Sequence, residues 1–164
     1  MAQRGEEPAG AAAVFRGVTQ LALDAKGRLA IPGKHRDALA GSPDNGERTL
    51  IVTADPSRCL LVYPRSTWEP IQARLMALSS FNVEIRGLQR LLVGHADEVD
   101  MDGAGRILVP PALRQYARLD HHVVLVGQGT KFELWDNATW LQETDRTITF
   151  PAGGLPPELD GFSL

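Results

Sequence analysis

Cysteine is nearly absent from this sequence, and so is any long hydrophobic run. The single cysteine among 164 residues, Cys59, cannot form an internal disulfide, which is typical of a reducing compartment. No apolar stretch reaches the roughly 18 residues that a membrane-spanning helix needs. Residues 1–14 (MAQRGEEPAGAAAV) contain two glutamates and no long apolar core, so they do not resemble a secretory signal peptide. We expect a cytoplasmic protein with no membrane partner and with a flexible N-terminal extension over 1–14.

The sequence also lacks the motifs of catalysis, nucleotide binding and metal binding. It contains no P-loop and no Gly-x-Gly-x-x-Gly. His121 and His122 have no nearby cysteine or third histidine to complete a zinc site, and adjacent side chains of a strand point to opposite faces. These absences argue against an enzyme, a bound metal, a cofactor and a small-molecule substrate.

Charge is distributed unevenly along the chain. The formal net charge is −3, which by itself disfavours contact with nucleic acid. Residues 14–40, however, contain five basic residues against two acidic ones, whereas residues 141–164 contain four acidic residues against one basic residue. The first part of the chain is therefore locally basic, which is compatible with a nucleic-acid partner.

What the sequence does contain is a repeated turn. Residues 21–31 read LALDAKGRLAI and residues 99–109 read VDMDGAGRILV, so Asp-x-x-Gly-Arg occurs twice, with Asp102 lying 78 residues after Asp24. Each turn lies between two apolar, strand-like segments and is followed by a proline that can begin a short helix. Two further strands and another helix follow each copy. The repetition predicts that a half-domain was duplicated.

The repeat also predicts the fold class. Each unit has too few strands to bury both faces of a sheet by itself. Two units related by a pseudo-two-fold axis can close their strands into one barrel, which removes exposed sheet edges. We therefore expect an α+β fold, mostly β with short helices. The predicted segments are a first half-domain at 15–80, a connecting helix at 81–94, a second half-domain at 95–145 and a disordered tail at 146–164.

Two details distinguish the halves. The first half is longer because a Gly/Pro/Asn-rich loop, GSPDNGER, is inserted between its first helix and its third strand. The connecting helix belongs to neither repeat. Its spacing predicts four inward-facing apolar residues, namely Ile85, Leu88, Leu91 and Leu92.

Four segments together resemble the MraZ family. They read VFRGVTQLALDAKGRLAIP, LQRLLVGHADEVD, DGAGRILVPPALR and FELWDNATW, and they span about Phe15 to Trp140. One Asp-x-x-Gly-Arg would be ordinary turn chemistry, but two copies in matching contexts are specific. The start differs, because family members commonly begin Met-Phe-Arg-Gly whereas Val14 precedes Phe15 here. Either residues 1–13 are an extension, or Val14 marks a misassigned start codon.

The resemblance implies a bacterial, sequence-specific DNA-binding transcription regulator made of two SpoVT–AbrB-type half-domains. It implies a double-split β-barrel and a ring-like homo-oligomer that binds repeated sites on double-stranded DNA in the nucleoid. The implied target is the promoter of the protein's own division and cell-wall gene cluster, with repression as the expected effect. Two alternatives stay open. One is a non-DNA oligomeric scaffold, and the other is an antitoxin-like module that binds a protein.

The acidic and glycine residues of the turns are expected to shape the loops. Asp24 and Asp102 can accept backbone N–H groups, and Gly27 and Gly105 can adopt the positive φ that such turns need. These four residues do not require contact with a partner.

The basic residues near the first turn are the candidates for DNA contact. A guanidinium on a tight loop can bind phosphate or read a guanine edge, so Arg28 is the expected main contact, with Lys26 beside it and Arg16 nearby. The alternative is that Arg28 is simply the exposed first residue of a strand. Lys34 and Arg36 on the following helix are phosphate candidates. Exposed helical cations usually only solvate a face, and that alternative applies to Lys34, Arg36, Arg114 and Arg118.

The second turn is expected to contribute less. Ala104 stands where the first copy has Lys26, so the second turn has lost one charge. Arg106 could contact DNA in the weaker, matching role. It could instead pair internally with Asp102 or Asp100.

Overall fold

The computed structural model describes residues 14–40, 48–148, 157–159 and 161. The strands are β1 (Phe15–Ala22), β2 (Arg28–Ala30), β3 (Thr49–Ala54), β4 (Leu60–Pro64), β5 (Asp97–Asp100), β6 (Arg106–Leu108), β7 (His122–Gly129) and β8 (Phe132–Asp136). The α-helices are α1 (Gly33–Ala40), α2 (Arg65–Ala77), α3 (Val83–Leu88), α4 (Pro111–Tyr116) and α5 (Asn137–Ile148). A π-helical segment (Gln89–Val93) continues α3, and Pro157–Leu159 form one 3-10 turn. The expected α+β class is confirmed.

The sheet topology reflects the internal repeat. Six strands form an antiparallel sheet in the order β1-β7-β8-β4-β3-β5, which is symmetric about the central β8·β4 pair. The short strands β2 and β6, one after each turn, pair with each other as a separate two-stranded ribbon centred on Leu29 and Ile107. Because β1 pairs with β7 and β2 with β6, strands of the two sequence halves interleave.

One core lies between the ribbon and one face of the sheet. Leu29 and Ile107 of the ribbon are fully buried and belong to the same cluster as Leu50, Leu60 and Leu134 of the sheet. Among the described strands, hydrogen bonds do not close the sheet into a barrel, because β1 and β5 are its edges and the ribbon is separate. The expected double-split barrel is therefore not confirmed.

The other face of the sheet is covered by α2, the π-helical segment and α5. Along β3, Leu50 and Val52 join the main core while Ile51 points to the opposite face and packs with Trp68 of α2. A third cluster holds Trp135 against Trp140 of α5. Covering on both faces explains why β3 and β4 are almost continuously apolar and buried.

The connecting helix departs from its predicted pattern. Leu88 is 42% exposed, so the prediction that it faces inward is wrong. The buried residue is Gln89, whose Nε2 donates to the carbonyl oxygens of Leu75 at 2.9 Å and Leu78 at 3.2 Å. The change to π-helical hydrogen bonding at Gln89 alters which residues face inward, and the amide satisfies carbonyls at the end of α2.

Some predicted segments extend beyond the described residues. Of the predicted N-terminal extension, the structure describes only Val14. Of the inserted loop, it describes only Arg48. Helix α5 continues to Ile148, past the predicted start of the tail, and most of the remaining tail lies outside the described residues. None of the described helices combines the length and apolar character needed to cross a membrane.

Candidate nucleic-acid interface

The first turn is organised around one carboxylate. Asp24 Oδ1 accepts the backbone N–H groups of Lys26 at 2.9 Å and Arg28 at 2.8 Å, and its Oδ2 accepts Arg28 Nε at 2.7 Å. Hydrogen bonds from the backbone N–H of Arg28 and then from its side chain are the main causes that lower the pKa of Asp24 to about 2. Gly27 has a φ of 85°, which favours glycine. The turn is thus ordered while Asp24 stays ionised at neutral pH.

The second turn repeats this geometry. Asp102 Oδ1 accepts the N–H groups of Ala104 and Arg106 at 2.9 Å each, and its Oδ2 accepts Arg106 Nε at 2.9 Å. Hydrogen bonding, led by the backbone of Arg106, lowers the pKa of Asp102. Gly105 has a φ of 76°. Arg106 therefore pairs with Asp102, while Asp100 accepts the hydroxyl of Thr49 at 2.6 Å.

The ribbon joins the two turns into one structure. Arg28 lies opposite Leu108, and Arg106 lies opposite Ala30. Reciprocal hydrogen bonds extend the ribbon, since Ile31 N–H donates to Gly105 and Val109 N–H to Gly27, both at 2.9 Å. Successive side chains of a strand alternate, and the central pair of the ribbon points into the core. Arg28 and Arg106 therefore lie together on its outward face, with Cα atoms roughly 8–9 Å apart from standard strand spacings.

Two further arginines cross from one half of the protein to the turn of the other. The guanidinium of Arg114 in α4 lies against Gly27, so a Cβ added to Gly27 would be 2.5 Å from Arg114 Cζ. Arg114 Nε donates to the Val109 carbonyl at 3.0 Å. Arg36 in α1 lies against Gly105 in the same way and donates through Nη1 to Ala104 O at 3.5 Å. Glycine at both turns leaves room for these side chains.

The crossing was not anticipated from the sequence, which made Arg36 a phosphate candidate on α1 and treated Arg114 as an exposed helical cation, without placing either beside the turn of the other half. A signal was present. Arg114 lies 78 residues after Arg36, the same separation as the two turns, so both belong to the repeat.

The remaining candidate cations lie in two places. Arg48, the residue before β3, donates through Nη2 to Asp102 O at 3.3 Å and so belongs to the second turn. Lys34 lies over Gly17 of β1, the residue that follows Arg16. A Cβ added to Gly17 would be 3.0 Å from Lys34 Nζ. No hydrogen bond or ion pair within the described part of the chain joins Lys34 or Arg16 to either turn. The structure thus brings the predicted Arg28, Lys26 and Arg106 together and places the predicted Lys34 and Arg16 beside β1.

Each turn is consequently surrounded by three basic side chains. We call this set the ribbon surface; its first turn has Lys26, Arg28 and Arg114, and its second has Arg36, Arg48 and Arg106. The lower charge expected at the second turn reflects only its local sequence, because Arg36 comes from α1 and Arg48 from the position before β3.

Within the described residues, one group of possible metal ligands lies elsewhere, and the sequence did not indicate it. Ligand atoms of Asp55, Cys59 and Glu133 lie within 4.8 Å of one another. Burial raises the pKa of the Cys59 thiol and of the Glu133 carboxyl, which favours their protonated forms. Glu133 Oε1 already accepts the Trp135 indole N–H at 3.0 Å and the Gln128 amide at 3.1 Å. We interpret the group as a hydrogen-bonded polar cluster.

Comparison with known proteins agrees with the repeat. A family model described as "MraZ protein, putative antitoxin-like" matches twice, over residues 14–91 and 92–152. The chain is 57% identical over 151 residues to the "Transcriptional regulator MraZ" of Nitrosomonas eutropha, covering 92% of this chain and 100% of that relative. Regulators of the same name from Nitrosospira multiformis and Methylobacillus flagellatus are 57% and 53% identical with the same coverage. None of these matches points to an enzyme. The chain belongs to the MraZ family, and these relatives are named as transcriptional regulators.

Proposed function

We propose that this protein is a sequence-specific transcriptional regulator that contacts double-stranded DNA through the ribbon surface. The observation that carries the proposal is the pair of identically ordered Asp-x-x-Gly-Arg turns on one ribbon, each with three basic side chains around it. The relatives named as transcriptional regulators support the same role.

The two turn arginines are suited to reading DNA because they are already oriented. Within each guanidinium, only Nε donates to the carboxylate of Asp24 or Asp102 among the described contacts, which leaves the terminal nitrogens as donors. Such a pair of nitrogens can bind phosphate or contact O6 and N7 of guanine. Holding the side chain in place before binding reduces the entropy lost on binding.

The remaining cations of the ribbon surface supply most of the attraction to phosphate. Each Asp–Arg ion pair is nearly neutral when viewed from a distance, with N–O separations of 2.7 and 2.9 Å. Net positive charge over the turns therefore comes from the four other side chains, namely Lys26, Arg36, Arg48 and Arg114. This arrangement separates base recognition by the paired arginines from general attraction by their neighbours.

Assembly completes the proposal. One ribbon surface offers few phosphate contacts, so useful affinity requires several copies that bind repeated DNA sites together. We propose a ring-like homo-oligomer of double-split barrels in the nucleoid, in which ribbon and sheet enclose one core. It represses the promoter of its own division and cell-wall gene cluster. The resemblance to the family suggests this target, and the acidic balance of the chain makes multivalent binding more necessary.

Fluorescence anisotropy with two duplexes tests the proposal. One duplex carries the region upstream of the protein's own gene, and the other has the same bases in shuffled order. We expect tighter binding to the natural duplex and an affinity that falls as salt rises. Equal binding to both duplexes would contradict sequence specificity. Absence of binding would favour a scaffold or the antitoxin-like role that the family description suggests.

A promoter reporter tests the sign of regulation. We expect reporter expression to rise when the gene is deleted and to fall when it is restored. A fall on deletion would make the protein an activator.

A further inference from the structure

Helix α1 is anchored in the core by a histidine. Among its described residues only His35 and Leu39 are buried, with exposed fractions of 3% and 1%. The corresponding residues of α4, 78 positions later, are Leu113 and Ala117, and both of these are apolar. One of the two repeated helices is therefore anchored by a side chain that can take up a proton.

The surroundings of His35 suit only a neutral ring. Its ring centroid lies 4.7 Å from that of Phe132 and 5.9 Å from that of Phe15. Its Nε2 is buried and has no hydrogen-bond partner among the described residues. An imidazolium carries an N–H on both nitrogens, so protonation would leave a donor at Nε2 without an acceptor. It would also bury a positive charge among aromatic rings, which costs far more free energy than burying a neutral polar group.

Neighbouring charges do not offset this cost. Burial and then the positive charge of Lys34 are the causes that lower the pKa of His35. Within the described part of the chain, no ion pair joins a carboxylate to His35. The other charged residues of α1, and those of the two strands that hold its aromatic partners, are partly or fully exposed, namely Arg36, Asp37, Arg16, Glu133 and Asp136.

The same helix holds one cation of the ribbon surface in place. Arg36 directly follows His35, lies against Gly105 and donates through Nη1 to Ala104 O at 3.5 Å. This contact depends on α1 staying packed on the core. Arg114 makes the equivalent contact at the first turn from α4, whose anchors do not titrate. Displacing α1 would therefore remove a cation from the second turn and leave the first turn unchanged.

We propose that protonation of His35 releases α1 from the core and withdraws Arg36 from the second turn, so that DNA binding weakens as the solution becomes acidic. The proposal rests on the proposed function, because it requires Arg36 to act on DNA.

The size of the effect follows from proton linkage. In the released helix the ring is in water, and the pKa of His35 returns to its ordinary value of 6.5. The packed helix disfavours the proton, so proton uptake favours release as the pH falls below that value. Because a single proton is taken up, the equilibrium between packed and released α1 shifts by at most about tenfold between pH 7.5 and 5.5.

Amide hydrogen exchange tests the release without DNA. Peptides that cover α1 and α4 are followed in wild type and in His35→Leu, and the two proteins are compared at the same pH so that intrinsic exchange cancels. Relative to the variant, we expect α1 of the wild type to exchange up to about tenfold faster at pH 5.5 than at pH 7.5. Equal pH dependence of α1 in the two proteins would overturn the switch. So would an equal acceleration in α4, because the whole protein would then be unfolding.

Anisotropy at constant ionic strength tests the link to DNA. On a duplex with a single site, we expect the wild-type affinity to fall by up to about tenfold from pH 7.5 to 5.5 and that of His35→Leu not to fall. The three other histidines, His95, His121 and His122, are exposed and are shared by both proteins. Their protonation therefore cancels in the comparison.

Two arginine variants show whether the effect passes through α1. Arg36→Ala should bind more weakly at pH 7.5 and lose most of the fall in affinity at pH 5.5. Arg114→Ala is the matched control, since it removes the equivalent cation of α4 and should keep the full pH-dependent fall. The same fall in both variants would overturn the role assigned to Arg36.

The two measurements separate this proposal from the proposed function. Release of α1 with an unchanged affinity would overturn the link to DNA, although DNA binding itself would stand. Absence of binding at both pH values would overturn the proposed function and this link together, and hydrogen exchange would still decide whether His35 releases α1. His35→Gln, whose side chain does not titrate, gives the same comparison if His35→Leu does not fold.

Discussion

The two turns share one scaffold and differ in the source of their positive charge. Corresponding Asp–Arg contacts are 2.7 and 2.9 Å long, and the reciprocal ribbon bonds are both 2.9 Å. The first turn carries Lys26 within its own loop, whereas the second has Ala104 there and receives Arg48 from the position before β3. A duplicated site can therefore keep its geometry through local residues while its charge comes from distant ones.

The helices after the turns differ in their cores. His35 of α1 and Leu113 of α4 occupy equivalent positions and are both buried. His35 packs edge-on against Phe132, at 4.7 Å between ring centroids, and Phe15, at 5.9 Å. Its Nε2 is buried and has no hydrogen-bond partner among the described residues. Of these two equivalent buried positions, only the one in α1 thus holds an ionisable group.

The largest expected effect tests whether the two turns are equivalent in binding. Arg28→Ala and Arg106→Ala should each weaken binding by about 1–3 kcal/mol per engaged contact and reduce preference for the natural duplex. Anisotropy titrations measure both changes. Arg74→Ala is the control, because Arg74 is exposed on α2, which covers the sheet face opposite the ribbon. An unchanged affinity of Arg106→Ala would show that only the first turn reads DNA.

A histidine at the α4 position equivalent to His35 should lower the free energy of unfolding. Leu113→His places an unpaired polar ring in the core and should destabilise the protein by about 1–3 kcal/mol at neutral pH. Denaturant unfolding measures the loss. A stability equal to wild type would mean that α4 tolerates a buried imidazole as α1 does.

His35→Leu should remove a pH dependence. Burial is the first cause that lowers the pKa of His35, so the unfolded chain binds this proton more readily than the folded one. The folding stability that depends on a neutral His35 is fully present above the ordinary histidine pKa of 6.5, and it is lost as the pH falls below that value. Unfolding at pH 7.5 and 5.5 should show a smaller loss in His35→Leu than in wild type. Equal losses would exclude His35 as the source.

Alanine at either turn glycine should have a similar, moderate effect. A non-glycine residue in the left-handed region costs about 1–2 kcal/mol, and Gly27 and Gly105 have φ values of 85° and 76°. Gly27→Ala also displaces Arg114, and Gly105→Ala displaces Arg36. We expect comparable shifts in unfolding midpoint and a weaker attraction to DNA. A large difference between the two variants would mean that the scaffolds are not equivalent.

The smallest expected effect is on the salt dependence of DNA binding. It concerns Lys26, which lies within its own turn, and Arg48, which reaches the second turn from another part of the chain. Lys26→Ala and Arg48→Ala should each lower the slope of log affinity against log salt by about 0.9 if each contacts one phosphate. Preference between natural and shuffled duplexes should remain. If only Lys26→Ala lowers this slope, the first turn contributes more phosphate contact than the second, as the local sequence suggests.

The sequence was informative where structure depends on neighbouring residues. Apolar alternation, the two Asp-x-x-Gly-Arg turns and the following prolines predicted the α+β class and the repeat. It was uninformative where contacts cross the molecule. The position of Arg36 beside Gly105 depends on the pairing of β2 with β6, which local spacing does not reveal. Leu88 was assigned to the wrong face because a regular helical period cannot anticipate a π-helical segment.

The pairing of β2 with β6 has a consequence for protein synthesis. A nascent chain that ends before Arg106 already contains the complete first turn, but it lacks the strand that pairs with Arg28–Ala30. It also lacks Arg114, which lies against Gly27. On the proposed function, a ribosome-bound fragment therefore has no formed surface with which to occupy DNA. On the same proposal, DNA binding requires translation past the second copy, so truncated products would not compete for the DNA site.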